Sequence, residues 1–192
     1  MYIFKSTSNT RPIIENSLKY IRSDVPTEIT ERERAWLLSN GITTVVDLRT
    51  DGERERKRCP LIDDCRFSYN VFTVSGGDVI PQSADCVSKS YISMVDARFD
   101  EMIEFLLNAK SNVLYFCNAG KDRTGVASAV LLYRLGMPYG YIVEDYMKSK
   151  ANLQARLNEF AAKNPSIDPN IVIPQKRYIE EFLDWYIGRN KG

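Results

Sequence analysis

Residues 113–125 have the sequence VLYFCNAGKDRTG, which changes from an apolar run to small and charged residues. The run 113–116 predicts a buried strand, and the stretch 126–135 predicts a buried helix that ends before Gly136. The residues between them form a loop that opens onto the N-terminus of the helix. This order is typical of an α/β protein with a central, mostly parallel sheet. We therefore expect that fold class, with helices flanking the sheet and a helical C-terminal part.

The loop offers groups that suit a phosphate dianion. Backbone N–H groups at such a turn converge, and the helix dipole adds partial positive charge. A glycine inside the loop permits the curl of the backbone. The predicted phosphate-binding residues are Asn118, Ala119, Gly120, Lys121, Asp122 and Arg123.

Three side chains of this segment predict nucleophilic catalysis. The field of the loop favours a thiolate at Cys117, which makes it a nucleophile near neutral pH. Arg123 offers a planar fork of donors for two phosphoryl oxygens, and the Thr124 hydroxyl can donate to the sulfur. A Cys followed six places later by Arg is a weak signal alone, but the strand, the helix, the glycine and the exit sequence RTG are independent requirements. The alternative is a buried structural cysteine ahead of an ordinary turn.

Residues 117–125, CNAGKDRTG, resemble the phosphate loop of the protein-tyrosine-phosphatase superfamily, with its Cys-x5-Arg pattern. The AGKDR core is most similar to the atypical bacterial tyrosine and lipid phosphatases, including secreted mycobacterial and listerial examples. The segments VVDLRTDGE (45–53) and IVEDY (142–146) are similar to two further motifs of that branch. The resemblance spans about residues 17–188 and implies a tyrosine-phosphatase-like fold, with one phosphatase domain over residues 1–192.

The resemblance implies a phosphomonoester hydrolase that forms a cysteinyl phosphate, most of all a protein-tyrosine phosphatase, with dual-specificity or phosphoinositide activity as further options. In that branch the aspartate of the loop, here Asp122, is the general acid. The chain has no histidine, so a carboxylic acid, a tyrosine or water must protonate the leaving group. Asp122 could instead only pair with Lys121 or Arg123. Asp78, in the segment SGGD, is a second candidate acid, on a stretch that could close over the site or form a surface turn.

One position departs from the family pattern. The family usually has histidine immediately before the nucleophilic cysteine, where it orders the loop and stabilises the thiolate, and this chain has Phe116. We therefore predict that Cys117 holds its proton more tightly than its family counterparts. A weak or inactive phosphate-binding module is the alternative function. A rhodanese-type or arsenate-reductase-type thiol enzyme is a third, and the RTG exit and the Asp-Leu-Arg segment argue against it.

A strand over residues 42–48 is predicted to end at the Asp-Leu-Arg segment, at the same sheet edge as Cys117. Ligands of open α/β sheets bind at that edge. Asp47 and Arg49 could brace the phosphate loop as an ion pair or contact the substrate, and the sequence favours neither. The run 51–58 predicts a solvated loop or short helix, or a basic rim that steers phosphorylated substrates to the site. Its cations are Arg54, Arg56, Lys57 and Arg58.

Further elements follow from caps and apolar periodicity. Thr30 and Glu33 form a predicted capping box for a helix that Gly41 closes. The other expectations are an irregular or strand-like lead (1–16), an edge strand (18–22), a strand (67–72), a helix with Phe99, Met102, Ile103 and Leu106 on one face, and helices over 141–148, 152–162 and 174–187.

Composition limits the function classes. The chain has 192 residues, 44% hydrophobic content and a net charge of +1, which fits one domain and gives no support to nucleic-acid binding. The four cysteines form no paired-thiol motif, and without histidine a zinc site is improbable, so we expect neither metal nor cofactor. Another thiol could still form a reversible disulfide with Cys117.

The expected partners are phosphorylated substrates, either proteins or phosphoinositides and inositol phosphates. Lys121, an extra cation in the loop, tips the prediction slightly toward tolerance of highly charged substrates. No apolar run approaches membrane-spanning length, and the N-terminus shows no secretion signal. We therefore expect a cytoplasmic location without stable membrane insertion, although secretion remains open. The sequence indicates no oligomeric state.

Overall fold

A five-stranded sheet forms the centre of the computed structural model, which describes residues 4–189. The strand order is β1-β2-β5-β3-β4, and β1 is antiparallel to β2 while the other pairs are parallel. The fold class is therefore confirmed: a mostly parallel sheet with helices around it. The strands are β1 (Arg11–Pro12), β2 (Tyr20–Asp24), β3 (Ile42–Asp47), β4 (Ser68–Val71) and β5 (Asn112–Cys117).

Helices occupy much of the rest of the described residues, and they make the C-terminal part helical as expected. Two short 3₁₀ helices, Pro60–Asp63 and Ala84–Cys86, lie among them. None of the helices described is long and apolar enough to cross a membrane. The α-helices are α1 (Glu31–Ser39), α2 (Asp51–Arg56), α3 (Val87–Ser93), α4 (Ala97–Asn108), α5 (Arg123–Arg134), α6 (Tyr139–Asn152), α7 (Gln154–Lys163), α8 (Pro169–Val172) and α9 (Lys176–Arg189).

Strand β5 divides its side chains between two hydrophobic clusters, as the two-residue period of a strand requires. Tyr115 and Cys117 belong to the larger cluster, which α4, α5, α6 and α9 complete on one face of the sheet. Leu114 and Phe116 belong to the smaller cluster, which contains Leu37 of α1. Cys117 and Phe116 therefore face opposite sides of the sheet.

The carboxyl ends of the three central strands meet at one edge. Asp24 of β2 is the register partner of Cys117, and Asp47 of β3 is the partner of Phe116. The Leu48 amide extends this pairing by donating to the Phe116 carbonyl over 2.9 Å. The loop that follows β5 therefore lies between the ends of β2 and β3.

Most of the predicted elements are confirmed. The strand 113–116 and the helix 126–135 appear as β5 and α5, and the Thr30–Glu33 capping box starts α1. The run after Asp47 contains a helix, α2. The prediction of an edge strand at 18–22 is wrong, because β1 pairs along the outer side of β2. Helices α3 and α8 were not predicted, because seven and four residues are too short for a periodic pattern. Residues 1–3 of the predicted lead lie outside the described residues.

Candidate active site

The loop between β5 and α5 begins at Cys117, the last strand residue, and ends at Arg123, the first helical residue. Gly120 has φ +64°, and a Cβ atom there would lie 2.3 Å from the Ser23 carbonyl oxygen. Only glycine satisfies both conditions without displacing the backbone. The loop therefore curls directly against the carboxyl end of β2.

Two buried side chains, Asn9 and Arg22, hold this curl in place. The Gly120 carbonyl accepts hydrogen bonds from Asn9 Nδ2 and Arg22 Nη2, each 2.8 Å long. Arg22 and Arg11 also bind the two carboxylate oxygens of Asp145 in α6. Burial opposes the charge on Asp145, but the two guanidinium groups outweigh it and lower its pKa. The peptide at Gly120 is thus held by Asn9 before β1 and by Arg22 of β2, which Asp145 of α6 holds in turn.

Arg123 is held by Glu53 of α2 through two parallel hydrogen bonds of 2.6 Å. Burial opposes the charge of both groups. The bonds from Arg123 and from the Thr50 amide outweigh burial at Glu53 and lower its pKa to about 2. At Arg123 the bonds to Glu53 and the nearby Cys117 sulfur outweigh burial and raise the pKa. Glu53 also accepts a bond from Asn118 Nδ2, so it joins both ends of the loop.

Three buried polar atoms of the loop and of the first turn of α5 have no hydrogen-bond partner in the part of the chain that the structure describes. They are Asn118 Oδ1, Arg123 Nε and Thr124 Oγ1. The Thr124 hydroxyl therefore makes no hydrogen bond within the described residues, and the bond predicted from it to the Cys117 sulfur is not formed. Buried polar groups are normally paired, so three unpaired ones in one loop mark a site for a polar ligand.

Asp122, the predicted general acid, uses one carboxylate oxygen for internal contacts. Its Oδ1 accepts bonds from the Tyr91 hydroxyl (2.6 Å) and from Lys121 Nζ (2.7 Å). The Tyr91 hydroxyl also contacts the Tyr146 hydroxyl at 2.8 Å. Burial, and then the negative charge of Asp122, raise the pKa of Tyr91, so the phenol keeps its proton. The pairing with Lys121 that the sequence left open is formed. Within residues 4–189, Asp122 Oδ2 accepts no hydrogen bond from another side chain or amide.

The segment that contains Asp78 lies over Arg123. A Cβ atom at Gly77 would come within 3.1 Å of the Arg123 side chain, which shows how closely this segment packs on it. Asp78 itself is exposed and lines a cavity of about 80 Å³ together with Lys121 and Asp122. The remaining walls of this cavity are largely apolar, with Val79, Ile80, Pro81, Val87, Ile171 and Val172 among them.

Asp47 and Arg49 form a buried ion pair behind the loop. Arg49 donates from Nε and Nη2 to the two Asp47 oxygens at 2.8 and 2.6 Å, and Tyr69 donates to Asp47 over 2.6 Å. Both side chains are 0% exposed. The Arg49 guanidinium also lies 5.4 Å from the centre of the Phe116 ring. This burial favours the bracing role over contact with a substrate.

Sequence reasoning missed several residues of this site. Glu53 ends the segment VVDLRTDGE and has no predicted role in the site, although Thr50 and Glu53 show the spacing of a capping box. No local signal marked Asn9, Arg22 or Tyr91, because their partners lie far away in the chain. A potential metal cluster of three or more Asp, Glu, Cys or His side chains is not present among residues 4–189.

Comparison with known proteins shows what the chain is similar to. The model of the tyrosine phosphatase family matches residues 7–187. The chain is 26% identical over 147 residues to a tyrosine-protein phosphatase of Nostoc commune, an alignment that covers 71% of the chain and 50% of that protein. It is also 26% identical over 181 residues to a Cupriavidus necator protein named as a candidate tyrosine-protein phosphatase, covering 85% of the chain and 65% of the relative. The chain thus spans between half and about two thirds of the length of these relatives.

Proposed function

The chain belongs to the tyrosine phosphatase family, and from this premise we propose that it hydrolyses phosphomonoesters through a cysteinyl phosphate formed on Cys117. The observation that carries the proposal is the group of unpaired buried polar atoms around the loop, beside a guanidinium that stays charged. A phosphoryl group supplies acceptor oxygens for the two donors in this group, the Arg123 Nε–H group and the Thr124 hydroxyl. The sulfur, at the end of β5, belongs to the same loop.

In the first step the Cys117 sulfur attacks phosphorus in line, the S–P bond forms and the P–O bond to the leaving group breaks. Arg123 has five N–H donors, of which two bind Glu53. The Nε–H group and the second hydrogens of the Nη atoms remain for the equatorial phosphoryl oxygens. The amides of residues 118–123 add to this stabilisation, which grows as charge develops in the transition state.

Asp122 is the proposed proton donor for the leaving oxygen. Tyr91 and Lys121 both bind Oδ1, so the transferable proton belongs on Oδ2. In the second step a water molecule attacks phosphorus, the S–P bond breaks, and the same carboxylate takes the proton of the water. Asp78 lines the same cavity and is the second candidate for this role.

A phosphotyrosine side chain in a protein is the proposed principal substrate. The apolar walls of the cavity beside Asp122 suit an aromatic ring, and the names of both relatives agree with this class. Dual-specificity and phosphoinositide activities are further proposals, which rest on the additional positive charge of Lys121. A substrate screen with matched phosphotyrosine, phosphoserine and phosphoinositide compounds would rank them.

The test is the rate of p-nitrophenyl phosphate hydrolysis in reducing buffer with a chelator. We expect turnover by the intact chain and a loss of at least about a thousandfold in Cys117→Ser, because serine is a far weaker nucleophile than a thiolate. Cys65→Ser is the matched control, since Cys65 is an exposed free cysteine outside the loop. Vanadate binding without turnover in the intact chain would instead indicate the phosphate-binding module.

A further inference from the structure

Besides the cavity that Asp122 lines, a second cavity, of about 470 Å³, is lined by Asp24 and Val25 at the end of β2, next to the loop. The two cavities share none of their lining residues. Four cations and one carboxylate are among the residues that line the second cavity, which we call the basic pocket. These residues are Arg56, Lys57, Arg58, Arg156 and Asp24.

The basic pocket has a surplus of positive charge. Its carboxylate, Asp24, is compensated by Arg156, which donates to it over 2.7 Å, and by two backbone amides. Arg58 is paired with Asp63. Arg56 and Lys57 are exposed, and their side chains make no hydrogen bond or ion pair within the described residues. Both therefore keep their donors for an anion from outside.

The basic pocket lies close to the proposed nucleophile. Asp24, on its wall, is the register partner of Cys117, and neighbouring strands are about 4.8 Å apart. The next wall residue, Val25, donates its amide to the Asn118 carbonyl of the loop over 3.3 Å. Arg56 follows Glu53 by three positions in α2 and so stands one helical turn from the residue that holds Arg123. An anion in the basic pocket would lie on the order of 10 Å from the phosphoryl site.

We propose that the basic pocket binds an aspartate or glutamate side chain that lies two to four residues from the phosphotyrosine of a protein substrate. An extended peptide covers about 3.3 Å per residue, so such a side chain reaches about 7–13 Å along the chain. The two cavities share no lining residue, so a single ligand that uses both must extend from one to the other, as an extended peptide can. This inference rests on the proposed function and specifies its substrate class.

The experiment measures binding, so that it does not depend on turnover. Two phosphotyrosine peptides that differ only in carrying glutamate or alanine at the flanking positions are titrated against the Cys117→Ser variant. We expect the acidic peptide to bind about tenfold more tightly, and we expect this ratio to fall to about twofold when Arg56→Gln and Lys57→Gln are added. The ratio should also fall as the salt concentration rises.

Lys110→Gln is the matched control, because Lys110 is exposed and precedes β5 at the opposite edge of the sheet. It should leave the peptide ratio unchanged. Turnover of p-nitrophenyl phosphate by the Arg56→Gln/Lys57→Gln chain with Cys117 intact should equal that of the unmodified chain, since this substrate has no second anion.

Equal affinity for the two peptides would overturn the proposal, as would a tenfold ratio that persists without Arg56 and Lys57. The variants can also be tested for binding to vesicles that contain phosphoinositides. If Arg56→Gln/Lys57→Gln weakens vesicle binding but leaves the peptide ratio unchanged, the basic pocket binds a lipid headgroup and the proposal is overturned. The proposed function fails by a separate result, the absence of Cys117-dependent hydrolysis of p-nitrophenyl phosphate.

Discussion

Glu53 accepts two hydrogen bonds from Arg123, from Nη1 to Oε2 and from Nη2 to Oε1, each 2.6 Å long. The two residues are 70 positions apart, and both are buried. Because the pair fixes the plane of the guanidinium, the direction of the Arg123 donors depends on a residue outside the loop.

Replacing Glu53 with glutamine should damage both stability and catalysis. Breaking a buried ion pair leaves the charge of Arg123 uncompensated and costs about 3–5 kcal/mol of unfolding free energy. We expect that loss in urea titrations and a fall in kcat/KM of roughly a hundredfold, because the guanidinium loses its orientation. Glu55→Gln, on the exposed side of the same helix, should change neither quantity. An unchanged kcat/KM in Glu53→Gln would show that Glu53 does not position Arg123.

Two buried glutamates should make the protein sensitive to acid. Burial opposes their charge, but hydrogen bonds outweigh it and lower the pKa of Glu33 and of Glu53 to about 2. Because both values lie below the usual pKa of glutamate, the stability they contribute is complete above about pH 4.5 and is lost as the pH falls toward 2. Urea titrations from pH 7 to pH 3 should show this decline.

Substitutions at Glu33 and at Glu53 distinguish an effect on stability from an effect on catalysis. Glu33 caps α1 and binds the amides of Lys5 and Ser6, whereas Glu53 binds Arg123. Glu33→Gln should therefore reduce the acid-dependent decline and keep kcat/KM at pH 7. A decline of full size in both Glu33→Gln and Glu53→Gln would show that other carboxylates cause it.

Gly120→Ala should displace the loop between β5 and α5 from its contact with β2. The new Cβ would meet the Ser23 carbonyl at 2.3 Å, so backbone must move, and φ +64° adds strain. Gly136→Ala is the matched control, since its φ is +76° but nothing lies within 4 Å. We expect about 1 kcal/mol of destabilisation in the control, and a larger loss together with the loss of vanadate binding in Gly120→Ala. Equal effects would mean that the contact with Ser23 is not restrictive.

Tyr91→Phe should impair proton donation by Asp122 more than it impairs binding. Without the phenol, Oδ1 keeps only Lys121 and the carboxyl group loses its fixed orientation. We expect kcat to fall only about threefold for p-nitrophenyl phosphate. For phenyl phosphate, whose leaving group needs the proton more, we expect a fall of about thirtyfold. Tyr139→Phe, whose hydroxyl contacts α9, is the control. The same loss for every leaving group would indicate a purely structural role.

Phe116→His should make Cys117 more reactive at low pH. The imidazole restores the residue that the family usually has before the cysteine, and the midpoint of thiol alkylation against pH should move down. The same change places a polar group in a buried apolar cluster beside Arg49, so we expect a loss of about 1–3 kcal/mol in stability. Phe116→Leu should leave the midpoint unchanged. An unmoved midpoint in Phe116→His would refute the predicted effect of Phe116.

Local patterns account for what the sequence predicted. About twenty consecutive residues around Cys117 encode the strand, the glycine and the helix. The capping box at Thr30 is also local, because its two residues are three positions apart. The parallel order of the strands follows from the alternation of strands and helices. These features need no knowledge of distant partners.

Long-range contacts explain what the sequence did not show. Glu53 binds Arg123 across 70 positions of the chain, and Tyr91 binds Asp122 across 31. The pairing of β1 beside β2, which made the edge-strand prediction wrong, involves only two residues of β1 and leaves almost no periodic signal. The predicted bond from Thr124 to the sulfur is not formed, because the local sequence does not specify how the two side chains are placed relative to each other.

The residues that hydrogen-bond to the Gly120 carbonyl come from distant parts of the chain, which affects the order in which the loop can fold. Asn9 and Arg22 come from the start of the chain, while Asp145, which binds Arg22, lies in α6. During synthesis the loop therefore emerges well before its last support. Contacts between residues so far apart form late, because closing long loops costs entropy. Competence to bind an anion at this loop should consequently appear only after α6 has docked, so that anion binding reports completion of the fold.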